Sequence, residues 1–429
     1  MSALQSPSTS TLQTTDQVAN MNSRDIGKII SEEDQEDEEE DEEFYTPGSN
    51  ELFEARKKLL ASSVSKAAER IEKQTQLAKE FNMARTLRHR HIIALYMELL
   101  ELDASYTMKG NTRALGMARF NKDSTRVACA SWDGSIFILD RKDTVLNQVL
   151  RLSPGFHTEK AVVEWSPSDS LFLISGGAEG SVNFWKVDDL EIMKPTETLK
   201  RAHSNRIAHI TYHPSGEYFA TTSFDQTWKL WDVQRPEIEL LEQEGHSKEV
   251  YAASFHPDGS LLATGGLDAI GRVWDLRSGR SIAVLSKHAK GIYSMDWSPN
   301  GYHLASASGD NSVQIWDLRK SQDQALFSIP AHTKLVSGVR FLRNCTRNII
   351  TKPVRDENEN DERVLEVNGT VLITSSFDGT VKVWSADNWV CLKTLRGHND
   401  KVMSCDMSTD GDSIISTGWD RTLKTWIPS

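Results

Sequence analysis

The sequence has 429 residues, of which 38% are hydrophobic and 26% are charged, and it carries a net charge of −12. Its four cysteines form no CxxC pair, which argues against a disulfide framework and a cysteine-based zinc site. No apolar stretch is long enough to cross about 30 Å of hydrocarbon, and the first residues lack the charged and apolar regions of a signal peptide.

The first 43 residues are rich in Ser and Thr and then become acidic. The stretch from Glu32 to Glu43 reads EEDQEDEEEDEE, so eleven of its twelve residues are negatively charged, and the rest of the chain is close to neutral. Charge blocks of this kind are typical of disordered segments that meet a charged partner. We therefore expect residues 1–43 to be disordered.

Residues 44–101 are predicted to form a basic helical arm. Apolar residues recur there at steps of four and three if Gln74 is counted, which places them on one face of an amphipathic helix. These residues are Leu60, Val64, Ala67, Ile71, Ala78 and Phe81. Between Ala55 and His91, ten Lys and Arg residues outnumber three acids, and we expect these charges on the other face.

The basic face of the arm has two interpretations. Either the apolar face packs on the rest of the protein and water covers the charges, or the charges lie on RNA phosphates. In the second case the candidate phosphate-binding residues are Arg56, Lys57, Lys58, Arg70, Lys73, Arg85, Arg88 and Arg90. No RNP1 motif, KH loop or aromatic platform is present, so such contacts would follow the RNA backbone and weaken with salt.

From residue 102 onward, a spaced triplet of residues recurs at intervals of about 40 to 46 residues. In each unit an Asp follows a His by 22 residues, and a Trp follows that Asp by 6. Four units keep all three residues, namely His203, Asp225 and Trp231; His246, Asp268 and Trp274; His288, Asp310 and Trp316; and His398, Asp420 and Trp426. One unit has Glu179 in place of the Asp, and the first unit has Asn111 and Leu139 in place of the His and the Trp.

A further unit is longer than the others. Its His332 and Asp378 are 46 residues apart, which implies a loop insertion of 24 residues near 343–367. Elsewhere, short β-branched runs alternate with turn sequences such as HPSG, HPDG and SPNG, at the spacing of four strands per unit. The sequence therefore predicts an all-β fold over 102–429, a seven-bladed WD-repeat β-propeller with the insertion in blade six.

The last blade needs an outer strand from elsewhere in the chain. Its unit ends at TLKTWIPS, three residues past its third strand. An unpaired sheet edge exposes a row of amides. We expect the segment from about Leu102 to Lys109 to pair with this edge and close the ring.

The recurring His, Asp and Trp residues, with a Ser two residues before the Asp, have a catalytic and a structural interpretation. A Ser-His-Asp nucleophile needs one activated copy in a cleft, whereas near-copies in several blades indicate a hydrogen-bond chain through imidazole and Ser to indole. The predicted structural tetrads are His203, Ser223, Asp225 and Trp231; His288, Ser308, Asp310 and Trp316; and His332, Ser376, Asp378 and Trp384. We favour the structural role, and we expect incomplete chains in blades four and seven, where Gly266 and Gly418 replace the Ser.

One rim of the propeller is predicted to carry aromatic residues. The residue before each turn Asp projects there, and these positions include Trp132, Phe224, Leu267, Phe377 and Trp419, with Arg421 beside the last. Aromatic residues next to Arg or Lys often anchor interfaces. The rim either binds a helix or peptide of a partner protein, or its side chains simply pack between neighbouring turns.

Motifs for other chemistry are absent from the sequence. There is no Walker motif, no dinucleotide-binding GxGxxG after a strand, no HExxH and no Cys/His metal spacing, so we expect no enzyme activity, no cofactor, no metal and no small-molecule substrate. Two WDLR sequences, at Trp274 and Trp316, leave a substrate receptor of a cullin-type ubiquitin ligase as an alternative. A generic signalling or chromatin scaffold is another, and a propeller hydrolase or lyase is the least favoured.

Several whole stretches carry a more specific resemblance. They include FYTPGSNELFEAR, HPSGEYFATTSFDQTWKLWD, LEQEGHSKEVYAASFHPDGSLLATGGLDAIGRVWDLRSGR, SPNGYHLASASGDNSVQIWDLRK and STGWDRTLKTW. From about Phe44 to Trp426 the chain resembles the pre-mRNA-processing factor 4 family, the WD-repeat proteins of the spliceosomal U4/U6 small nuclear ribonucleoprotein. The first 43 residues lack the short hydrophobic, Gly/Pro-rich motif that this family usually carries there, which leaves cyclophilin-type contacts in doubt.

The resemblance implies a nuclear scaffold subunit that acts in pre-mRNA splicing. Its implied partners are U4 and U6 snRNA, a pre-mRNA-processing factor 3-type protein and other proteins of the U4/U6-U5 particle. The chemistry of splicing would then lie in RNA. The predicted insertion in blade six is a second departure from the family pattern.

Overall fold

The computed structural model of the chain describes residues 48–79, 83–142, 145–152, 156–187, 194–320, 325–343 and 369–428. The predicted disorder of residues 1–43 and the predicted insertion near 343–367, apart from Arg343, lie outside these residues. The described part of the chain contains two α-helices and 28 β-strands.

The described strands form seven antiparallel sheets of four strands each, in which consecutive strands pair. Blade one contains β2 (Leu115–Phe120), β3 (Arg126–Ser131), β4 (Ile136–Lys142) and β5 (Val145–Leu152). Blade two contains β6 (Val162–Trp165), β7 (Phe172–Gly176), β8 (Val182–Lys186) and β9 (Glu197–Leu199). Blade three contains β10 (Ile207–Tyr212), β11 (Tyr218–Ser223), β12 (Trp228–Asp232) and β13 (Glu239–Gln243).

The other four blades repeat this order. Blade four contains β14 (Val250–Phe255), β15 (Leu261–Gly266), β16 (Gly271–Asp275) and β17 (Ser281–Leu285). Blade five contains β18 (Ile292–Trp297), β19 (His303–Ser308), β20 (Val313–Asp317) and β21 (Phe327–Ile329). Blade six contains β22 (Val336–Phe341), β23 (Val371–Ser376), β24 (Thr380–Ser385) and β25 (Cys391–Arg396), and blade seven contains β26 (Val402–Met407), β27 (Ile414–Gly418), β28 (Thr422–Pro428) and β1 (Leu100–Thr107).

The seven sheets close into a ring. The first strand of each blade packs beside the first strand of the next blade, and β26 of blade seven packs beside β2 of blade one. Strands rich in β-branched and aromatic residues fit these pleated, buried surfaces. The core lies between neighbouring sheets, as where Ala263 and Val273 of blade four pack with Trp297 of blade five. The predicted seven-bladed β-propeller is confirmed.

The turn between the second and third strands has one geometry in all seven blades. The residue after the turn carboxylate has a positive φ, between 64° and 82°, in Gly134, Gly180, Gln226, Ala269, Asn311, Gly379 and Arg421. A side chain disfavours this conformation, so the blade imposes the turn where the residue is not Gly. We call the face that carries these turns the rim face, and the opposite face the helix face.

The predicted ring closure is also confirmed. Strand β1 pairs antiparallel with β28, from Leu100 opposite Pro428 to Thr107 opposite Thr422. It begins two residues before the predicted position. Side chains add to this pairing, because Lys424 Nζ donates to Ser105 Oγ at 2.9 Å.

Two helices pack on the helix face. Helix α1 (Asn50–Lys79) buries Leu52, Ala55 and Leu59 in a cluster with apolar residues of blades three and four. Helix α2 (Met83–Glu98) packs against blades six and seven. Among the helices of the described residues, none has both the length and the apolar character needed to cross a membrane.

The predicted packing face of the arm is wrong. Leu60, Val64 and Ile71 are 45%, 58% and 54% exposed, and the buried face is turned about a third of the way around the helix from them. The helix face of the propeller offers hydrogen-bond acceptors, so part of the basic side of α1 packs there instead. The predicted Phe81 lies outside the described residues.

Candidate functional site

Six blades contain a hydrogen-bond chain from the turn carboxylate to a buried indole. In blade five, His288 Nδ1 lies 2.9 Å from Asp310 Oδ2, and its Nε2 lies 2.7 Å from Ser306 Oγ. The indole N–H of Trp316 donates to the same Oγ at 2.9 Å. A neutral imidazole donates through Nδ1 and accepts from the hydroxyl, which satisfies every group in the chain.

In each hydrogen-bond chain the hydroxyl belongs to the residue four positions before the turn carboxylate. The prediction that Ser223, Ser308 and Ser376 link the imidazole to the indole is therefore wrong. The six hydroxyl residues are Ser175, Thr221, Thr264, Ser306, Thr374 and Ser416. Ser308 lies at the turn, where its hydroxyl donates to the carbonyl of Lys290 and accepts from the N–H of Asp310. Both positions lie on one face of the strand, but only the earlier one lies between imidazole and indole.

The expected gaps in blades four and seven are wrong for the same reason. Thr264 and Ser416 accept indole hydrogen bonds at 2.8 Å, so both chains are complete. A Cβ at Gly266 would lie 2.4 Å from Asp268 Oδ1. A hydroxyl residue four positions before the carboxylate recurs in six units, and this signal was present in the sequence.

The burial of these hydrogen-bond chains favours a structural role over a catalytic one. The side chains of all six histidines are at most 1% exposed, so no substrate reaches the imidazole or the hydroxyl behind it. A nucleophile needs an accessible hydroxyl beside an oxyanion site. The chains satisfy polar groups that burial would otherwise leave without partners.

We predict that Ser306→Ala destabilises the propeller by about 2 kcal/mol or more, because two buried groups, His288 Nε2 and the Trp316 indole, lose their partner at about 1 to 3 kcal/mol each. Ser308→Ala is the matched control, because glycine occupies the equivalent position in blades four and seven. This variant should lower the free energy of unfolding by about 1 kcal/mol. Urea denaturation of the two variants measures both values. Equal losses would contradict the assignment of Ser306.

A second cluster of polar side chains lies at the axis of the ring. We call Arg119, Glu164, Asp296, Arg340, Arg343 and Asp406 the axial cluster. All except Arg343 occupy the last position but one of a first strand. These residues were not predicted from the sequence, because they share a strand position but not a residue type.

The axial cluster joins blades across the channel. Glu164 of blade two lies 3.3 Å from Arg119 Nε of blade one and 3.5 Å from Arg340 Nη2 of blade six. Burial opposes the charge of Arg340, but Asp296 and Glu164 outweigh it and hold its pKa above the ordinary value. Buried charges of both signs therefore compensate one another at the axis.

Two axial carboxylates also fasten neighbouring strands. The backbone N–H of Phe341 donates to Asp296 at 2.8 Å, and the backbone N–H of Phe120 donates to Asp406 at 2.9 Å. The second bond crosses from blade seven to blade one. The axial cluster therefore supports ring closure from the inside, opposite the outer β1–β28 pair.

On the rim face, four of the predicted aromatic residues join an arc with cations between them. Trp132 and Trp419 form a T-shaped pair with ring centroids 5.7 Å apart. Lys401 Nζ lies 4.6 Å from the Trp419 ring centroid and 5.3 Å from that of Phe377. We call the rim arc the set formed by these residues and those on its other flank, namely Phe377, Lys401, Trp419, Trp132, Lys160, Tyr251, Arg206 and Phe224.

The other flank of the rim arc begins at Trp132. Lys160 Nζ lies 5.0 Å from its ring centroid, and the Arg206 guanidinium lies 5.9 Å from it and 4.5 Å from that of Phe224. Lys160 also donates to the hydroxyl of Tyr251 at 2.7 Å. These cations and this tyrosine were not predicted from the sequence, although Lys160, Arg206 and Lys401 all follow a repeat His by three residues.

Two predicted rim residues do not join the arc. Leu267 packs against Gly291 in the next blade. Arg421 is exposed and takes the positive φ of its turn. The aromatic members of the arc are half-buried, except Trp419, which is 40% exposed.

The predicted phosphate-binding residues divide into two groups. Arg70 donates to Asp258 and to the carbonyl of Asn300, and Arg90 pairs with Asp387 at 2.8 Å, so both are turned to the propeller. Arg56 also faces the propeller, beside the turn at Gly279. The exposed members are Lys57, Lys58 and Lys73, and the side chains of Arg85 and Arg88 lie outside the described part.

The arginines of the WDLR sequences bind within their own blades. Arg277 forms a two-point contact with Asp275, at 3.0 and 3.1 Å, and Arg319 forms one with Asp317, at 2.9 and 2.8 Å. Each pair braces the turn after the third strand of its own blade. Among the described residues, no group of three or more His, Cys, Asp and Glu side chains is placed to hold a metal ion.

Comparison with known proteins agrees with this architecture. The family described as WD domain, G-beta repeat, matches residues 103–140, 193–232, 238–275, 279–317, 357–385 and 389–426. Over 402 residues the chain is 39% identical to the U4/U6 small nuclear ribonucleoprotein PRP4 of Saccharomyces cerevisiae, which covers 93% of this chain and 79% of the yeast protein. The chain belongs to the pre-mRNA-processing factor 4 family.

Other relatives of this pre-mRNA-processing factor 4 family member match shorter parts of it. An uncharacterized WD repeat-containing protein of Schizosaccharomyces pombe is 36% identical over 192 residues, 42% of this chain and 39% of that protein. The p21-activated protein kinase-interacting protein 1-like of Danio rerio is 43% identical over 63 residues, 14% of this chain and 17% of that protein. The predicted family resemblance is confirmed by the near full-length yeast match.

Proposed function

We propose that this chain is a nuclear, non-catalytic scaffold subunit of the U4/U6 and U4/U6-U5 small nuclear ribonucleoproteins and acts in pre-mRNA splicing. The observation that supports this most strongly is the 39% identity to yeast PRP4 across 93% of the chain. The buried tetrads and the charge-compensated axial cluster fit a protein that holds others, because their polar groups bind mainly one another.

In this proposal the rim face binds protein. Its partners would be a pre-mRNA-processing factor 3-type protein and other proteins of the particle. Aromatic side chains next to cations, half-buried on one face, have the composition of interface anchors.

The exposed lysines of α1 would contact U4 or U6 snRNA. Lys57, Lys58 and Lys73 are exposed, whereas Arg70 and Arg90 serve the propeller. Point charges on a helix bind phosphates without reading sequence, so this contact should weaken as salt rises. We therefore reduce the predicted phosphate-binding set to the exposed lysines, with Arg85 and Arg88 kept as candidates.

Affinity purification of the tagged chain from nuclear extract, followed by RNA sequencing, tests the proposed function. We expect U4 and U6 snRNA to be the enriched RNAs. Lys57→Gln, Lys58→Gln and Lys73→Gln together should lower their recovery severalfold at low to moderate salt, and the difference from the wild type should shrink as salt rises. Replacing Lys186, Lys200 and Lys320, which are exposed lysines of the propeller, by Gln is the matched control.

Two outcomes would contradict the proposal. Recovery of a cullin adaptor without these RNAs would indicate a ubiquitin-ligase receptor, and recovery of histones would indicate a chromatin scaffold. The ligase alternative has little structural support, because Arg277 and Arg319 are engaged with their own WD aspartates.

A further inference from the structure

The three cations of the rim arc have no carboxylate partner among the described residues. Lys160, Arg206 and Lys401 are held by aromatic rings, and Lys160 by the Tyr251 hydroxyl as well. The π-faces orient these cations, and burial lowers the pKa of Lys160 while Tyr251 opposes that shift. The rim face therefore presents fixed positive charges that an incoming acceptor can meet.

Two buried donors of the same arc also lack an acceptor. Trp132 Nε1 and Arg206 Nε are buried and have no hydrogen-bond partner in the described part of the chain. Lys160 is only 6% exposed, so its ammonium lies in a recess beside the axis. This flank of the arc has a surplus of buried hydrogen-bond donors over acceptors, and the ligand it fits is an anion.

The arrangement favours a peptide over nucleic acid. Single-stranded nucleic acid binds aromatic side chains by stacking its bases on open ring faces, and here Lys160, Arg206 and Lys401 lie against those rings. A phosphodiester is flanked by two sugars, whereas a Glu or Asp carboxylate at the end of a side chain can enter the narrow recess at Lys160.

The geometry points to an acidic peptide segment of a partner protein as the occupant of the rim arc. One carboxylate would enter the recess and accept from Lys160 and Arg206, and a second would meet Lys401. Between them, an apolar side chain would cover Trp419, which is 40% exposed. This inference rests on the proposed scaffold function and specifies which kind of protein segment the rim binds.

A binding assay with the full-length chain tests this site. The probe is a fluorescein-labelled peptide, Gly-Asp-Glu-Leu-Glu-Asp-Gly, followed by fluorescence anisotropy. Lys160→Met and Lys401→Met should each weaken binding about tenfold or more, because hydrogen bonds to charged groups contribute that much. Lys290→Met is the matched control, since Lys290 is an exposed lysine of the same face outside the arc, and it should leave the affinity unchanged.

Other arms of the assay exclude rival occupants. The neutral peptide with Asn and Gln should bind at least tenfold more weakly, and equal binding would overturn the inference. If an oligouridylate displaces the peptide and loses affinity with the same two variants, the arc binds nucleic acid and the inference is wrong. Thermal unfolding of each variant controls for folding, and Lys401→Met keeps the test valid if Lys160→Met unfolds.

The source of the acidic segment is tested separately. Replacing the acids of Glu32–Glu43 by Gln should leave the peptide affinity unchanged, because the occupant belongs to a partner. A tenfold gain would show that the acidic run of this chain competes for the arc, and it would overturn the choice of a partner. The assay contains no snRNA, so a failure here and a failure of RNA recovery are distinguishable.

Discussion

Asp296→Ala is expected to destabilise the propeller by about 3 to 5 kcal/mol, the loss typical when one partner of a buried ion pair is removed. The Asp296 side chain is fully buried, and it accepts hydrogen bonds from Arg343 and from the backbone N–H of Phe341. Its removal leaves Arg343 and Arg340 beside the axis with less negative charge to compensate them. The free energy of unfolding in urea measures the loss.

An exposed pair of the same chemistry provides the control. Arg90 and Asp387 are 47% and 31% exposed, so Asp387→Ala should cost no more than about 1 kcal/mol. Asp296→Asn should lie between the two, because the amide oxygen still accepts from Phe341 but carries no charge. A loss from Asp296→Ala as small as that from Asp387→Ala would show that the axial cluster does not support the ring.

Acid is expected to unfold the protein steeply below about pH 4. Burial opposes ionisation of Glu179, but hydrogen bonds from His157 and Ser181 outweigh it and lower its pKa to about 2. The same balance, with His as the main donor, lowers the pKa of Asp225, Asp310, Asp378 and Asp420. These five groups stabilise the fold above the pKa of unfolded carboxyls, about 4, and the contribution is lost as the pH falls through their folded values.

The slope of the free energy of unfolding against pH gives the number of protons that unfolding takes up. Near pH 3 the unfolded chain should bind up to about five more protons than the folded one through these groups. Glu164 acts in the opposite sense, because burial raises its pKa. Urea denaturation between pH 7 and pH 2.5 measures the slope, and Glu179→Gln should reduce it by about one proton. Stability that stays constant down to pH 3 would contradict the role of the tetrads.

The ring could be predicted from the sequence because the blades share one spacing of residues. The His, Asp and Trp spacing recurs in every blade with few changes, and the missing outer strand of blade seven leaves only the segment before blade one as its donor. Because the pattern occurs in seven units, one degenerate unit does not obscure it. The bridging hydroxyl was missed because Ser and Thr share this position, as in Ser306 and Thr221.

The packing of α1 could not be read from periodicity. An apolar stripe shows which residues share a face, but not whether that face meets the propeller or the solvent. Here Arg70 reaches Asp258, and this pairing across almost 190 residues has no local signature. The cations of the rim arc were not predicted for the same reason, since Arg206 and Trp132 come from different repeats and meet only once the ring has closed.

The pairing of β1 with β28 has a consequence for synthesis. Thr107 is synthesised more than 300 residues before its partner Thr422, a delay of about 15 to 60 s at about 5 to 20 residues per second. Throughout that interval the nascent chain carries a strand with no sheet to join. A premature stop codon anywhere in between would release a polypeptide in which the first strand has no partner strand to pair with.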